Sequence, residues 1–306
     1  MLGPNEFQSL NDLLWKSYKK YRLPELCSGI FLKPEMGSAT YSKSEADRPV
    51  TDRYFTISVD DGSPPDRKTA DLLHKYGLQG TFYVPARNPE QPVMSPAEIR
   101  ELSQRFEIGS HTLNHTPLKF VSDERAKREI EEGKRHMEDL LGEPVISFCY
   151  PRGKFNGTTP TLVRNAGFLG ARTLLMNLHD FPQDPFHWGV STLAFSLSKV
   201  IHVRHALLEG NFVGLRNFFR EYKGATDWME HFYYALDYVS QHGGIAHLMM
   251  HSWEMEQLGA WNKMESVLSA VANSGLTSVT NGHLFRIWSS RRVSSVPVAE
   301  PAGEPR

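Results

Sequence analysis

The stretch RYFTISVDDGSPPDRKTADLLHKYGLQGTFYVPA, residues 53–86, decides the fold class. It opens with a β-rich run that ends in two aspartates, continues as an amphipathic segment that stops at Gly77, and returns to a second β-rich run. Strand, helix and strand in this order form the unit from which parallel α/β sheets are built. We therefore predict a parallel sheet whose first strand ends at Asp60 and Asp61.

The same alternation continues along the chain. Further strands are predicted in FEIGSH (106–111), PVISFCYPRG (144–153), LGARTLL (169–175) and GGIAHLMMH (243–251), with a last one in LFRIWSS (284–290). A Ser-Pro-x-Glu sequence at Ser95 predicts a capping box at a helix start. We expect an N-terminal extension over 1–50, one domain over 51–290 with a helical insertion at 195–240, and a disordered tail over 291–306.

Composition excludes several classes of protein. The chain has 306 residues, 40% of them hydrophobic, which is enough for a large core. The chain has 34 Lys and Arg residues against 35 Asp and Glu residues, so its net charge is close to zero. A net charge this small argues against a nucleic-acid partner and against a polybasic membrane-surface protein. Two cysteines, Cys27 and Cys149, do not make a disulfide scaffold. No apolar run is long enough to span a membrane and no secretory signal is visible, so we expect a cytoplasmic protein.

Reactive side chains follow four of the predicted strands. In parallel α/β folds the loops after the strands converge on one face, where the chemistry usually lies. The residues in question are Asp60, Asp61 and Gly62, then His111 and His115, then Pro151, Arg152 and Gly153, and finally His251. We expect these side chains to share one site.

Each of these features has a simpler reading when it is taken alone. A His-x-x-x-His pair arises by chance more often than as a metal site, and Asp-Asp-Gly also suits a turn. Arg152 reads equally as a surface cation or as the partner that keeps a buried aspartate ionised. His251 follows a run apolar enough to be core, so a buried structural histidine is an alternative there.

The ordered set of motifs, over residues 53–288, resembles the NodB-like polysaccharide deacetylases, carbohydrate esterase family 4. The resemblance implies a distorted (β/α) barrel of about seven parallel strands and an activity that removes acetyl groups from N-acetylated sugars with a divalent metal. Zinc is the default metal for a set of two histidines and one carboxylate, with cobalt, nickel or manganese as substitutes. The roles carried over are the catalytic base for Asp60, its orienting arginine for Arg152, the catalytic acid for His251, and metal ligation for Asp61, His111 and His115.

The sequence departs from the family pattern in two motifs. The third motif reads Tyr150-Pro151-Arg152-Gly153, without the usual aromatic residue after the turn, and the backbone N–H near Gly153 is a candidate donor to an oxyanion. In the fourth motif His187, rather than an aspartate, precedes Trp188, so the residue that tunes His251 is left open. Candidate substrate-binding residues are Tyr150, Gly153, Trp188 and Trp253.

The leading hypothesis is thus a metal-dependent N-deacetylase. Because no export signal is visible, we expect an intracellular N-acetylated sugar or glycoconjugate, such as a glycolipid, cell-wall precursor or sugar nucleotide. Two alternatives remain: a hydrolase of a non-sugar C–N bond on the same fold, and a pseudoenzyme that binds a sugar without turnover. The sequence leaves the oligomeric state open.

Overall fold

The computed structural model describes residues 52–294. The predicted N-terminal extension and most of the predicted tail lie outside these residues. Within the described part, no helix is both long enough and apolar enough to cross a membrane.

A single parallel sheet organises the described residues. Its strands are β1 (Arg53–Asp60), β2 (Thr81–Val84), β3 (Glu107–Ser110), β4 (Ser147–Cys149), β5 (Gly170–Arg172), β6 (Thr192–Leu193), β7 (Gly244–Met250) and β8 (Thr277–Ser278). Seven strands run in the order β5-β4-β3-β2-β1-β7-β6, and β8 pairs with the first half of β1. Every strand pair is parallel, as the alternating sequence pattern predicts.

Ten α-helices connect and cover the strands in this part of the chain. They are α1 (Asp66–Lys75), α2 (Pro96–Ser103), α3 (Asp123–Leu141), α4 (Thr159–Asn165), α5 (Lys199–Leu208), α6 (Phe212–Arg220), α7 (Trp228–His242), α8 (Ser252–Gln257), α9 (Trp261–Ala272) and α10 (Asn281–Ser294). Helices α5, α6 and α7 lie where the sequence predicts a helical insertion over 195–240. The capping box at α2 is confirmed, with the Ser95 side chain accepting from the Glu98 amide and the Glu98 side chain accepting from the Ser95 amide.

The sheet is curled, and one segment of the chain pairs with strands near both of its edges. Trp188 forms a parallel bridge with Arg172 of β5, and a few residues later Thr192 pairs with Leu248 of β7. Residues 188–193 therefore run from one edge of the sheet towards the other. This confirms the distorted (β/α) barrel.

The core lies on both faces of the central strands. All seven residues of β7 are buried, and Phe55, Ile57 and Val59 of β1 have no exposed surface. Strands buried on both faces are expected where helices cover a parallel sheet on each side. The packed core therefore fixes the carboxyl ends of these strands and, with them, the positions of the residues that follow.

The strand predicted at 284–290 is wrong. These residues belong to α10, which continues to Ser294, beyond the predicted domain end at 290. Leu284, Phe285 and Trp288 fall on one side of this helix and pack in the cluster around Trp188. A short apolar run is compatible with a strand or with a buried helix, and here the tertiary contacts decided.

Candidate active site

The first motif separates two neighbouring carboxylates. Asp60 ends β1, whereas Asp61 has a φ of +80° and Gly62 a φ of +62°. A Cβ on Gly62 would lie 2.7 Å from Val84 Cγ1, so glycine is required both by the close approach and by the positive φ. The turn sends the two side chains in different directions, although both remain buried.

Asp60 is paired with a fully buried arginine. The Arg172 guanidinium donates to Asp60 Oδ2 from the end of β5, and Cys149 Sγ lies 3.6 Å from the same oxygen. Burial alone would raise the pKa of Asp60, but the Arg172 guanidinium, with smaller contributions from the imidazoles of His111 and His251, outweighs burial and holds that pKa below its usual value. Asp60 is thus an ionised carboxylate in a dry environment, as a general base requires.

The structure corrects the expectation for Arg152. Its guanidinium contacts Glu90, and the arginine on Asp60 is Arg172. Arg152 sits in a tight turn with a φ of +57° and is partly exposed, at the outer side of the site. Glu90 Oε2 lies 3.8 Å from His115 Nδ1, so Arg152 faces the site through an intervening carboxylate.

Asp61, His111 and His115 form a compact set of metal-ligand atoms. Asp61 Oδ1 lies 3.2 Å from His115 Nε2 and 3.8 Å from His111 Nε2. The three residues offer ligand atoms within 4.8 Å of one another, and Asp61 Oδ1 is buried without a hydrogen-bond partner. A second such group, Asp60, His111 and Cys149, shares His111 with the first.

The protonation of His111 fits metal ligation. Its Nδ1 lies 2.9 Å from the Cys149 carbonyl oxygen, which can only accept, so Nδ1 carries the proton and Nε2 presents its lone pair to Asp61 and His115. Burial lowers the pKa of His111 to about 4, against the opposing effect of the nearby aspartates, so the ring is neutral near pH 7. Two imidazoles and one carboxylate are a donor set that suits zinc.

Helix α3 fixes the loop that carries the two histidines. The buried Glu129 side chain accepts from the Asn114 amide at 2.9 Å and from Asn114 Nδ2 at 3.0 Å. A Cβ on Gly133 would lie 2.6 Å from the Thr112 carbonyl carbon, so helix and loop are in backbone contact. Thr112 and His115 both have positive φ, and these contacts hold that backbone. Sequence reasoning missed Glu129, which looks like one more charge on a highly charged helix.

His251 has its own carboxylate partner. Its Nδ1 lies 2.8 Å from Glu254 Oε2, one turn along α8, and its Nε2 lies 3.8 Å from Asp61 Oδ2. Burial would lower the pKa of His251, but the carboxylates of Glu254, Asp61 and Asp60 outweigh it and raise that pKa to about 10. Glu254 thus takes the position that the sequence left open, and the i, i+3 spacing from His251 was the available signal.

The four predicted substrate-binding residues lie in three different environments. Tyr150 and Trp188 are core residues: the Tyr150 hydroxyl donates to the Phe186 carbonyl, and Trp188 packs edge-on against Phe285. The Gly153 amide donates to the Tyr150 carbonyl at 2.8 Å, so it is already used within the turn. Trp253 remains at the site, where its indole N–H donates to Asp61 Oδ2 at 2.9 Å.

Comparison with known proteins agrees with this geometry. The family profile described as polysaccharide deacetylase matches residues 47–171. A peptidoglycan-N-acetylglucosamine deacetylase of Bacillus cereus is 28% identical over 173 residues, which are 56% of this chain and 77% of that protein. The polysaccharide-deacetylase-like protein YxkH of Bacillus subtilis is 22% identical over 40% of this chain and 45% of its own length.

A solved structure shares the fold. A polysaccharide-deacetylase-like protein of Mycobacterium smegmatis superimposes with a TM-score of 0.56, at 13% identity, over 83% of this chain and 96% of its own. At that identity the likeness concerns the fold alone. Taken with the profile match and the Bacillus cereus relative, it agrees with the order of motifs along the sequence. Residues 47–171 thus match the polysaccharide deacetylase family, in agreement with the resemblance of the motifs to the NodB-like polysaccharide deacetylases, carbohydrate esterase family 4.

Proposed function

We propose that the protein is a metal-dependent hydrolase that removes an acetyl group from an N-acetylated sugar or glycoconjugate. The observation that carries the proposal is the buried set Asp61, His111 and His115, flanked by an ionised Asp60 and by His251. The named activity of the Bacillus cereus relative supports the choice of an acetylated sugar. A cytoplasmic location stays a prediction.

A divalent ion held by Asp61, His111 and His115 would supply Lewis-acid polarisation of the acetyl carbonyl and acidify an attacking water. Asp60 is not one of these three metal ligands. Its Oδ2 accepts a hydrogen bond from Arg172, and its Oδ1 has no hydrogen-bond partner. Asp60 is therefore placed to accept a proton from the attacking water.

His251 is assigned the complementary proton transfer. Because Nδ1 is held by Glu254, the proton available for donation is the one on Nε2, the nitrogen that faces Asp61. A protonated imidazole can give this proton to the departing amine, which is otherwise a poor leaving group. The opposite charge states of Asp60 and His251 are those required of a base and an acid at one pH.

The test combines metal analysis with acetate release. We expect about one divalent metal ion per chain by elemental mass spectrometry, which also identifies the element, and acetate release from at least one member of a panel of N-acetylated sugars and glycoconjugates. His111→Ala should lose both metal and activity. His136→Ala, at an exposed position of α3, is the matched control and should lose neither.

Two results would contradict the proposal. Metal without acetate release, with amine product from cyclic amides instead, would favour hydrolysis of a non-sugar C–N bond. Absence of bound metal after loading with zinc, cobalt, nickel and manganese in turn, together with sugar binding and no turnover, would make the protein a sugar-binding pseudoenzyme.

A further inference from the structure

Exposed apolar side chains are concentrated on two adjacent helices of the insertion. The structure describes eight strongly exposed large hydrophobic residues, and five of them lie on α5 and α6. We call these five the insertion face: Val200 (74% exposed), Leu207 (54%), Leu208 (64%), Phe212 (60%) and Phe219 (54%). Single exposed apolar residues are ordinary on a protein surface, but a group of this kind marks an interaction site.

The solvent side of helix α5 carries large apolar residues alongside Lys199 and Arg204. His202 and Ala206 face the interior, whereas Val200 and Leu207 on the opposite side are in solvent. Val200 and Leu207 are seven residues apart with Val203 between them, so they form one stripe along the helix. These residues line an open depression together with Lys199 and Arg204.

The stripe on α5 continues onto α6. Phe212 and Phe219 are also seven residues apart and therefore share one side of α6. The Lys199 and Phe219 side chains both come within 4.0 Å of the Cβ position of Gly224, which brings the start of α5 next to the end of α6. The insertion face is thus one surface, built from two packed helices.

Basic residues accompany this apolar surface. Residues 199–223 contain Lys199, Arg204, Arg216, Arg220 and Lys223, against only Glu209 and Glu221. Glu209 is bound by Lys154, whose ammonium lies 2.6 Å from its carboxylate. The net charge of −1 for the whole chain therefore hides a local excess of positive charge around the insertion face.

We propose that the insertion face docks on an anionic lipid bilayer. Exposed Leu, Phe and Val side chains beside Lys and Arg are the combination that binds in the interfacial region of such membranes. A second copy of the chain is disfavoured as the occupant, because a two-fold contact would place the same basic residues against one another. Lys154 directly follows the turn of the third motif, so its bond to Glu209 links the end of α5 to that turn.

The experiment is vesicle sedimentation with the full chain. Vesicles of phosphatidylglycerol and phosphatidylcholine are compared with pure phosphatidylcholine vesicles, at low and at high salt. We expect the protein to pellet with the anionic vesicles, and less so at high salt. The variant Leu207→Glu/Leu208→Glu should lose this binding, whereas Leu258→Glu, at an exposed leucine outside the insertion face, should keep it.

A charge variant keeps the test independent of folding defects in α5. Lys199→Gln/Lys223→Gln leaves the apolar residues in place and should weaken binding by about 30-fold, from about 1 kcal/mol per basic residue near an anionic surface. Equal pelleting of wild type and both double variants would overturn the proposal, as would equal pelleting with neutral vesicles. A dimer in sedimentation velocity that Leu207→Glu/Leu208→Glu abolishes, without vesicle binding, would assign the face to a second copy instead.

Discussion

Replacing the two candidate arginines in turn gives the sharpest test of the site. Arg172 is fully buried and bonds to Asp60, which is 3% exposed. Arg172→Met keeps most of the volume but leaves the Asp60 carboxylate without its partner, which costs about 3–5 kcal/mol for a buried ion pair. In a domain of this size each kcal/mol lowers Tm by about 2–4 °C, so we expect a fall of roughly 6–20 °C.

Arg152→Met is the matched control. Its pair with Glu90 is about one-third exposed on both sides, so its loss should cost about 0–1 kcal/mol and change Tm by less than about 4 °C. Acetate release should fall by roughly 10²–10⁴ in Arg172→Met, because Asp60 loses the partner that keeps it ionised and oriented. Both quantities are measured on metal-loaded protein, by thermal circular dichroism and by coupled detection of acetate.

A double-mutant cycle decides whether the pair itself is responsible. Asp60→Asn/Arg172→Met removes both charges, so its Tm should lie above the value expected from adding the two single effects. The reasoning is refuted if the effects of Asp60→Asn and Arg172→Met simply add. It is equally refuted if Arg152→Met lowers Tm and activity as much as Arg172→Met does.

Three further predictions concern residues around the site. Glu254→Gln should retain bound metal but lower acetate release by roughly 10²-fold, because His251 loses the carboxylate that orients it; unchanged activity would remove Glu254 from the mechanism. Gly133→Ala should weaken metal binding in competition with a chelator, since its Cβ would meet the Thr112 backbone at 2.6 Å; Gly157→Ala, with no heavy atom within 4 Å of its Cβ, should leave metal affinity unchanged. Burial raises the pKa of the Asp66 carboxyl from 3.8 to about 8. Between these two pH values the folded state therefore keeps a proton that the unfolded state has lost. Stability should therefore fall by up to about 1.4 kcal/mol per pH unit as pH rises through that interval. Asp66→Asn should flatten the fall, as measured by urea unfolding, and an equally steep fall in that variant would contradict the assignment.

Much of the site could be read from local sequence. Asp60, Asp61, His111, His115 and His251 all follow predicted strands, and parallel strands bring their carboxyl ends to one side of a sheet. The Ser95–Glu98 capping box was likewise predictable, because its hydrogen bonds join two residues that are three positions apart in the chain. Local pattern was sufficient for this helix start and where strand direction alone fixes the position, but it did not single out Glu254, although that residue is only three positions from His251.

The sequence by itself therefore determined the parallel sheet, the order of its motifs and the residues after its strands. Only the tertiary structure decided which arginine reaches Asp60, since Arg172 is 112 residues away and reads as an ordinary strand end. It also decided that Tyr150 and Trp188 are core residues, because burial depends on what packs against a side chain from distant parts of the chain. A pairing of this kind is set by the order and curl of the strands, which no local pattern encodes.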